Sequence, residues 1–257
     1  MKKTLITMAS CITLANGIMS CHSNQSSLNM EHQNDSLTLI YISHPKKYLL
    51  LPIQESSDEA KVKLNTGKAD DMAFDIRLAT DSVEYYVPFE LPENADIATV
   101  TVEKVNRQAV CWAHIQQSDT FDTSNKDYYR PVYHHTPLYG WMNDANGLVY
   151  KDGEYHLYYQ YNPYGSRWGN MHWGHSVSRD LIHWEHLKPA IARDTLGHIF
   201  SGSSVVDKNN TAGFGEGAIV AFYTSASDKN GQIQCMAHSN DDGRTFTKYE
   251  KNPVLTP

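Results

Sequence analysis

Two stretches decide the fold: Tyr155-His156-Leu157-Tyr158-Tyr159-Gln160 and Ile219-Val220-Ala221-Phe222-Tyr223-Thr224. Both are short runs rich in aromatic and apolar residues, and both read as strands. They lie 64 positions apart, and the spacing recurs around them. His175-Ser176 returns as His238-Ser239 at an offset of 63, and Pro189 returns as Pro253 at 64. Each His-Ser pair leads into an Asp-containing turn and then an aromatic, Trp184 in one copy and Phe246 in the other. A unit of about sixty residues holding four strands has the size of one β-propeller blade. Residues 138–257 have room for about two, whereas propellers close with roughly four to eight. The expectation is therefore a truncated set of blades.

Upstream of the repeat, short apolar runs recur at 37–42, 48–53, 61–64, 83–89, 97–105 and 109–115. Thr99-Val100-Thr101-Val102-Glu103 alternates with period two, the pattern of a half-buried strand. No run keeps a helical period, so this part predicts a small all-β, sandwich-like module. Lys2 and Lys3 precede an apolar, uncharged stretch that ends at Ile18-Met19-Ser20-Cys21. That reads as a secretory signal peptide, too short and interrupted for a membrane span. Its end is similar to a bacterial lipoprotein box, in which Cys21 becomes the lipidated first residue; plain secretion with an incidental cysteine is the alternative. The polar, Ser/Asn/Gln-rich residues after it read as a tether. The expected organisation is a signal peptide at 1–20, a tether at 21–36, a β module at 37–125 and a partial propeller at 126–257.

Composition narrows the function. With 22 Lys+Arg against 29 Asp+Glu the net charge is −7, and removal of residues 1–20 would take away two lysines and no acid. The chain lacks the positive field that a nucleic acid requires, so no nucleic-acid partner is expected. Its 16 Tyr and 5 Trp suit the faces of sugars. Thirteen histidines are many, yet no His-Glu-x-x-His or Cys cluster completes a tetrahedral site, and no glycine-rich phosphate loop occurs, so neither metal nor cofactor is expected. Of the four cysteines, Cys111 and Cys235 remain once Cys11 and Cys21 are set aside, and burial suits them better than a disulfide.

The densest unusual stretch is Trp141-Met142-Asn143-Asp144-Ala145-Asn146-Gly147-Leu148. Read alone, Asn-Asp-x-Asn-Gly is good turn chemistry. Together with the segments at 155–163, 168–175, 178–184, 200–203 and 243–255, it resembles the Trp-Met-Asn-Asp-Pro-Asn-Gly motif of glycoside hydrolase family 32, the β-fructofuranosidases, levanases and inulinases. Ala145 departs from the family's Pro. The resemblance implies a five-bladed propeller and a retaining two-carboxylate mechanism, with Asp144 as the nucleophile. It also implies that Trp141, Asn143, Gln160, Trp168, Phe200 and Ser201 surround the bound fructosyl unit. Retaining glycosidases set their two carboxyl groups about 5 Å apart around an oxocarbenium-like transition state. The family's Arg-Asp-Pro and Glu-Cys motifs, the second carrying the acid/base, do not occur in this sequence.

The expectation is a fructan or sucrose hydrolase held in the cell envelope by a lipid anchor, represented by the portion that bears the nucleophile but lacks the acid/base, so that the 257-residue chain alone is expected to be inactive. A fructan-binding surface lipoprotein without catalysis is the alternative from a different class. A sialidase-type propeller, suggested by the Asp-box-like turn at 239–246, would need an arginine cluster that is not visible near Asp144.

Overall fold

The computed structural model describes residues 26–65, 73–93, 95–124 and 128–256. Within them the molecule is all-β, as expected, apart from one turn of 3-10 helix. The expected signal peptide at 1–20 and Cys21 lie outside the described residues.

The first eight strands are β1 (Ser27–His32), β2 (Leu37–Ser43), β3 (Tyr48–Ile53), β4 (Ala60–Asn65), β5 (Ala73–Ile76), β6 (Tyr85–Glu90), β7 (Ile97–Glu103) and β8 (Gln116–Ser118). They form a five-stranded sheet in the order β1-β2-β7-β4-β5 and a three-stranded sheet in the order β6-β3-β8. Side chains alternate across each strand, so Ile40 and Ile42, Val62 and Leu64, Val100 and Val102 reach one core from the larger sheet. Leu49, Leu51, Val87 and Phe89 meet them from the smaller one. This is the sandwich that the alternating runs predict.

Two expectations are corrected here. Residues 27–32, assigned to the tether, form edge strand β1, because Leu28 and Met30 on alternate positions pack against the core. The run at 109–115 contains a 3-10 turn, Val110–Ala113, in place of a strand. Asn106 Oδ1 accepts from the Gln108 amide and the Asn106 carbonyl accepts from Trp112 Nε1, which curls the chain and drops Cys111 into the core. Cys111 and Cys235 are both buried free thiols, in different cores.

The second half contains two four-stranded antiparallel meanders. One runs β9 (Trp141–Lys151), β10 (Glu154–Asn162), β11 (His172–Ser178), β12 (Glu185–Ile191); the other runs β13 (His198–Asp207), β14 (Ala218–Ser227), β15 (Gly231–Ser239), β16 (Thr247–Lys248). The repeated stretches fall on β10 and β14, the second strand of each sheet, so the two blade-like units expected from the repeat are present. The register refines the repeat. Tyr158 pairs with His175 and Phe222 with Met236, which makes Ser178, two residues beyond Ser176, the counterpart of Ser239. The turns agree: Ser178 Oγ donates to Asp180 and Ser239 Oγ donates to Asp241, and each carboxylate then gathers amides of its own turn. A slip of two leaves every side chain on its original face, which is why the sequence comparison tolerated it.

Between the two sheets lies a second core of Tyr158, Trp173, Ile199, Ala221, Tyr223, Ile233 and Cys235, closed at its edge by Phe246. Gly147 permits the approach. Its φ is +50°, and a Cβ there would stand 2.7 Å from both Ser204 Oγ and the Trp173 ring.

The sandwich and the first meander are joined by specific contacts. Tyr164 leaves the meander to stack on Phe74 of the sandwich core at a centroid distance of 3.8 Å. Asn170 makes a reciprocal pair with the backbone of Asp75, accepting from its amide at 2.9 Å and donating to its carbonyl at 2.7 Å.

Candidate active site

Strands β9 and β13 are the first strands of their sheets and run beside each other. Each carries an irregularity at the point of interest. Ala145 pairs with Tyr159 and Met142 with Tyr161, so Asn143 and Asp144 together face Gln160 alone, a β-bulge. In β13, Ile199 pairs with Ser225 and Gly202 with Tyr223, so Phe200 and Ser201 together face Thr224. A bulge kinks the strand and re-aims a side chain that regular pleating would fix. Asp144 and Ser201 are thereby turned towards each other: Ser201 Oγ donates to Asp144 Oδ2 at 3.3 Å, and both residues are exposed to solvent. The motif that reads as a turn is an 11-residue strand with two bulges, the second at Gly147-Leu148 opposite Leu157.

The neighbours complete the setting. Trp141 Nε1 donates to Asn143 Oδ1 at 3.3 Å, which ties the indole to the bulge. Buried Asn146 accepts from the Gly202 amide at 3.4 Å and so laces β9 to β13. Gln160 is 3% exposed and donates from Nε2 to the Ile199 carbonyl at 3.0 Å. This amide hydrogen thus braces the backbone beneath Phe200. Trp173 Nε1 donates to the Phe200 carbonyl at 3.0 Å from the same side. Trp168, 56% exposed, lies nearly parallel to the His198 ring and edge-on to Phe200, with centroids 5.9 and 6.0 Å away. Trp141, Asn143, Asp144, Phe200, Ser201 and Trp168 therefore form one connected group, and Gln160 supports it from below.

His198 and Asn146 belong to this group and were not singled out from the sequence. Asn146 stood inside the quoted motif, and His198 stands two residues before Phe200; no spacing rule marks either. Burial lowers the His198 pKa, with Arg193 adding to the effect, so the ring beside Trp168 is neutral at pH 7. Its Nδ1 accepts from the Met171 amide at 3.1 Å. Among the described residues, no group of three or more His, Cys, Asp or Glu is arranged to hold a metal ion.

Chemically, the site offers an exposed carboxylate oriented by a hydroxyl, amide groups close by, and flat aromatic faces at its margin. That set suits a ligand with many hydroxyls and apolar C–H faces.

Residues 134–257 match the model of the glycosyl hydrolases family 32 N-terminal domain, and residues 34–133 match a domain of unknown function, DUF4980. A levanase from Bacillus subtilis is 59% identical over 143 residues, covering 54% of this chain and 21% of the levanase. An extracellular exo-inulinase from Aspergillus awamori is 45% identical over 148 residues, covering 49% of this chain and 28% of that enzyme. The structure of a fructofuranosidase from Schwanniomyces occidentalis complexed with fructose matches 53% of this chain and 28% of its own at 48% identity, with a TM-score of 0.48. The chain thus spans between a fifth and three tenths of the length of these relatives.

Proposed function

We propose that residues 134–257, which match the glycosyl hydrolases family 32 N-terminal domain, belong to that family and that this chain takes part in hydrolysis of β-fructofuranosidic bonds in fructans or sucrose, with Asp144 as the nucleophile. The observation that carries the reading is the bulge that aims Asp144 at Ser201 across two adjacent first strands, inside the matched segment. In a retaining mechanism the Asp144 carboxylate attacks the anomeric carbon, the leaving oxygen departs with a proton from a second carboxylic acid, and water then releases the fructosyl group. The Ser201 hydroxyl holds one carboxylate oxygen, so that rotation of Asp144 is restricted before attack. Trp141, Phe200 and Trp168 offer faces to the sugar, and Asn143 offers amide hydrogen-bonding capacity. Gln160 acts in this account chiefly through the backbone that it braces.

The sequence contains neither Arg-Asp-Pro nor Glu-Cys, so no residue of this chain is assigned as acid/base. A second reading, for which the exposed indole of Trp168 beside Phe200 is sufficient, is a surface protein that binds fructan without cleaving it. For location, the extracellular relatives support secretion. Lipidation at Cys21 rests on the Ile18-Met19-Ser20-Cys21 pattern, with the few residues before β1 as tether to the sandwich at 27–118 and the blades beyond it.

The test is to measure binding of fructose and release of fructose from sucrose, inulin and levan, using the protein and its Asp144→Asn variant. Release that disappears in the variant while fructose still binds supports the nucleophile. Unchanged release removes Asp144 from the role, and fructose binding with neither release nor a fructosyl adduct on Asp144 from an activated donor in the unaltered protein selects the second reading.

A further inference from the structure

The sandwich, whose match is to a domain of unknown function, shares a cavity with the first meander. The cavity measures about 200 Å³, and its walls come from both sides. Glu55, Glu59 and Arg77 belong to the sandwich; Gly165, Arg167 and Trp168 belong to the meander. We propose that this cavity is a carbohydrate subsite which receives fructose units beyond the one placed at Asp144, so that the sandwich forms part of the fructan-binding cleft. The proposal rests on the fructosidase reading above.

Three observations support it. The cavity adjoins the Asp144 site through two shared side chains, because Trp168 and His198 line it and both meet Phe200, the neighbour of Ser201. An exposed indole flanked by planar charged groups is the arrangement that stacks on one face of a sugar while hydrogen bonding its rim.

The cavity is also built rather than incidental. Glu55 Oε1 accepts from the Ser166 amide at 2.9 Å and from the Ser166 hydroxyl at 2.7 Å, and it also accepts from the Tyr85 hydroxyl. Its other oxygen pairs with Arg167 Nε at 3.0 Å. The segment that ends in Trp168 is therefore fixed by the sandwich. Burial acts to raise the Glu55 pKa, but the bonds from Tyr85, Ser166 and Arg167 outweigh it and keep the carboxyl below its ordinary range. On the far wall, Arg77 is anchored by the Ser57 carbonyl at 2.7 Å and reaches Glu59 at 3.1 Å.

Finally, the wall still has donors and acceptors to offer. The side chains of Glu59 and Arg167 are 58% and 57% exposed, so they can exchange water for sugar hydroxyls at small cost.

The experiment titrates the full chain with fructose and with inulin-type and levan-type oligosaccharides of three to five units, by calorimetry. Unaltered protein should bind the oligosaccharides more tightly than fructose. A double variant, Glu59→Ala with Arg167→Ala, should lose about fivefold in oligosaccharide affinity, roughly the worth of one net hydrogen bond, with fructose affinity unchanged. Gly165→Leu provides a second route, since a Cβ there meets only Glu55 Oε1, at 3.7 Å, and a larger side chain would occupy the cavity. It too should remove the oligosaccharide advantage and leave fructose binding in place. Equal affinity for fructose and oligosaccharides in the unaltered chain overturns the subsite while leaving the Asp144 reading intact, as does an advantage that survives in both variants. Failure of fructose and oligosaccharides alike to bind removes the fructosidase reading and the subsite with it.

Discussion

Ser201 Oγ lies 3.3 Å from Asp144 Oδ2, and each residue occupies a β-bulge in the first strand of its own sheet. Regular pairing would let the pleat decide where these side chains point; the extra residue in each strand turns them towards one another. In the proposed mechanism the hydroxyl orients the carboxylate without being consumed. Ser201→Ala should therefore lower kcat/KM for fructan cleavage by about tenfold, as expected for one charge-assisted hydrogen bond, while Asp144→Asn abolishes it. Steady-state kinetics on both variants checks the order of the two effects.

Gly147 sets how closely the two sheets approach. Any side chain there combines a left-handed backbone with a contact of 2.7 Å to Ser204 and to Trp173, which is itself fully buried. Gly147→Ala should destabilise the fold by about 2–4 kcal/mol, the sum of backbone strain and overpacking. Urea denaturation followed by tryptophan fluorescence measures it.

Much of this architecture was legible in the sequence, and the omissions have physical causes. The strands at 155–160 and 219–224 announced themselves because they are apolar, aromatic and repeated. Strand β1 was hidden because only Leu28 and Met30 of Ser27–His32 are apolar, yet their alternate spacing was the available signal. The 3-10 turn at 110–113 looked like a strand because a short apolar run carries no period that separates the two. At the site, Asn143-Asp144-Ala145-Asn146-Gly147 has turn composition, and only pairing with β10 makes it a bulged strand. The Glu55 clamp on Ser166 and Arg167 joins residues more than a hundred positions apart, and nothing local in the sequence foretells it.

The junction depends on Asn170. Replacing it with Ala leaves the Asp75 amide and carbonyl without these partners and takes away an acceptor that Arg193 meets at 2.6 Å. Asn170→Ala should cost about 2–4 kcal/mol, as expected when several polar groups lose their partners inside a structure. The midpoint of thermal unfolding reports it.

Acid should weaken the protein through its buried histidines. Burial depresses His172 and His175 to about 3 and His135 to about 4, against an ordinary value of 6.5. His172 donates from Nδ1 to the Asn170 carbonyl, and its Nε2 has no partner, so the ring is held neutral. With folded values below the unfolded ones, the unfolded chain binds more protons between about pH 6.5 and pH 3, and stability falls as the pH is lowered through that window. Between pH 7 and pH 4 the loss should be on the order of 3 kcal/mol for each of His172 and His175. Denaturation midpoints across this range, repeated on His175→Gln, should give a shallower pH dependence for the variant.

The proposed nucleophile can be tested without an acid/base partner, because an activated leaving group departs unprotonated. The chain is incubated with β-fructosyl fluoride, digested and examined by mass spectrometry. The account predicts one covalent fructosyl group on the peptide that contains Asp144, and none in Asp144→Asn. An adduct on another side chain, or one that persists in the variant, would contradict it.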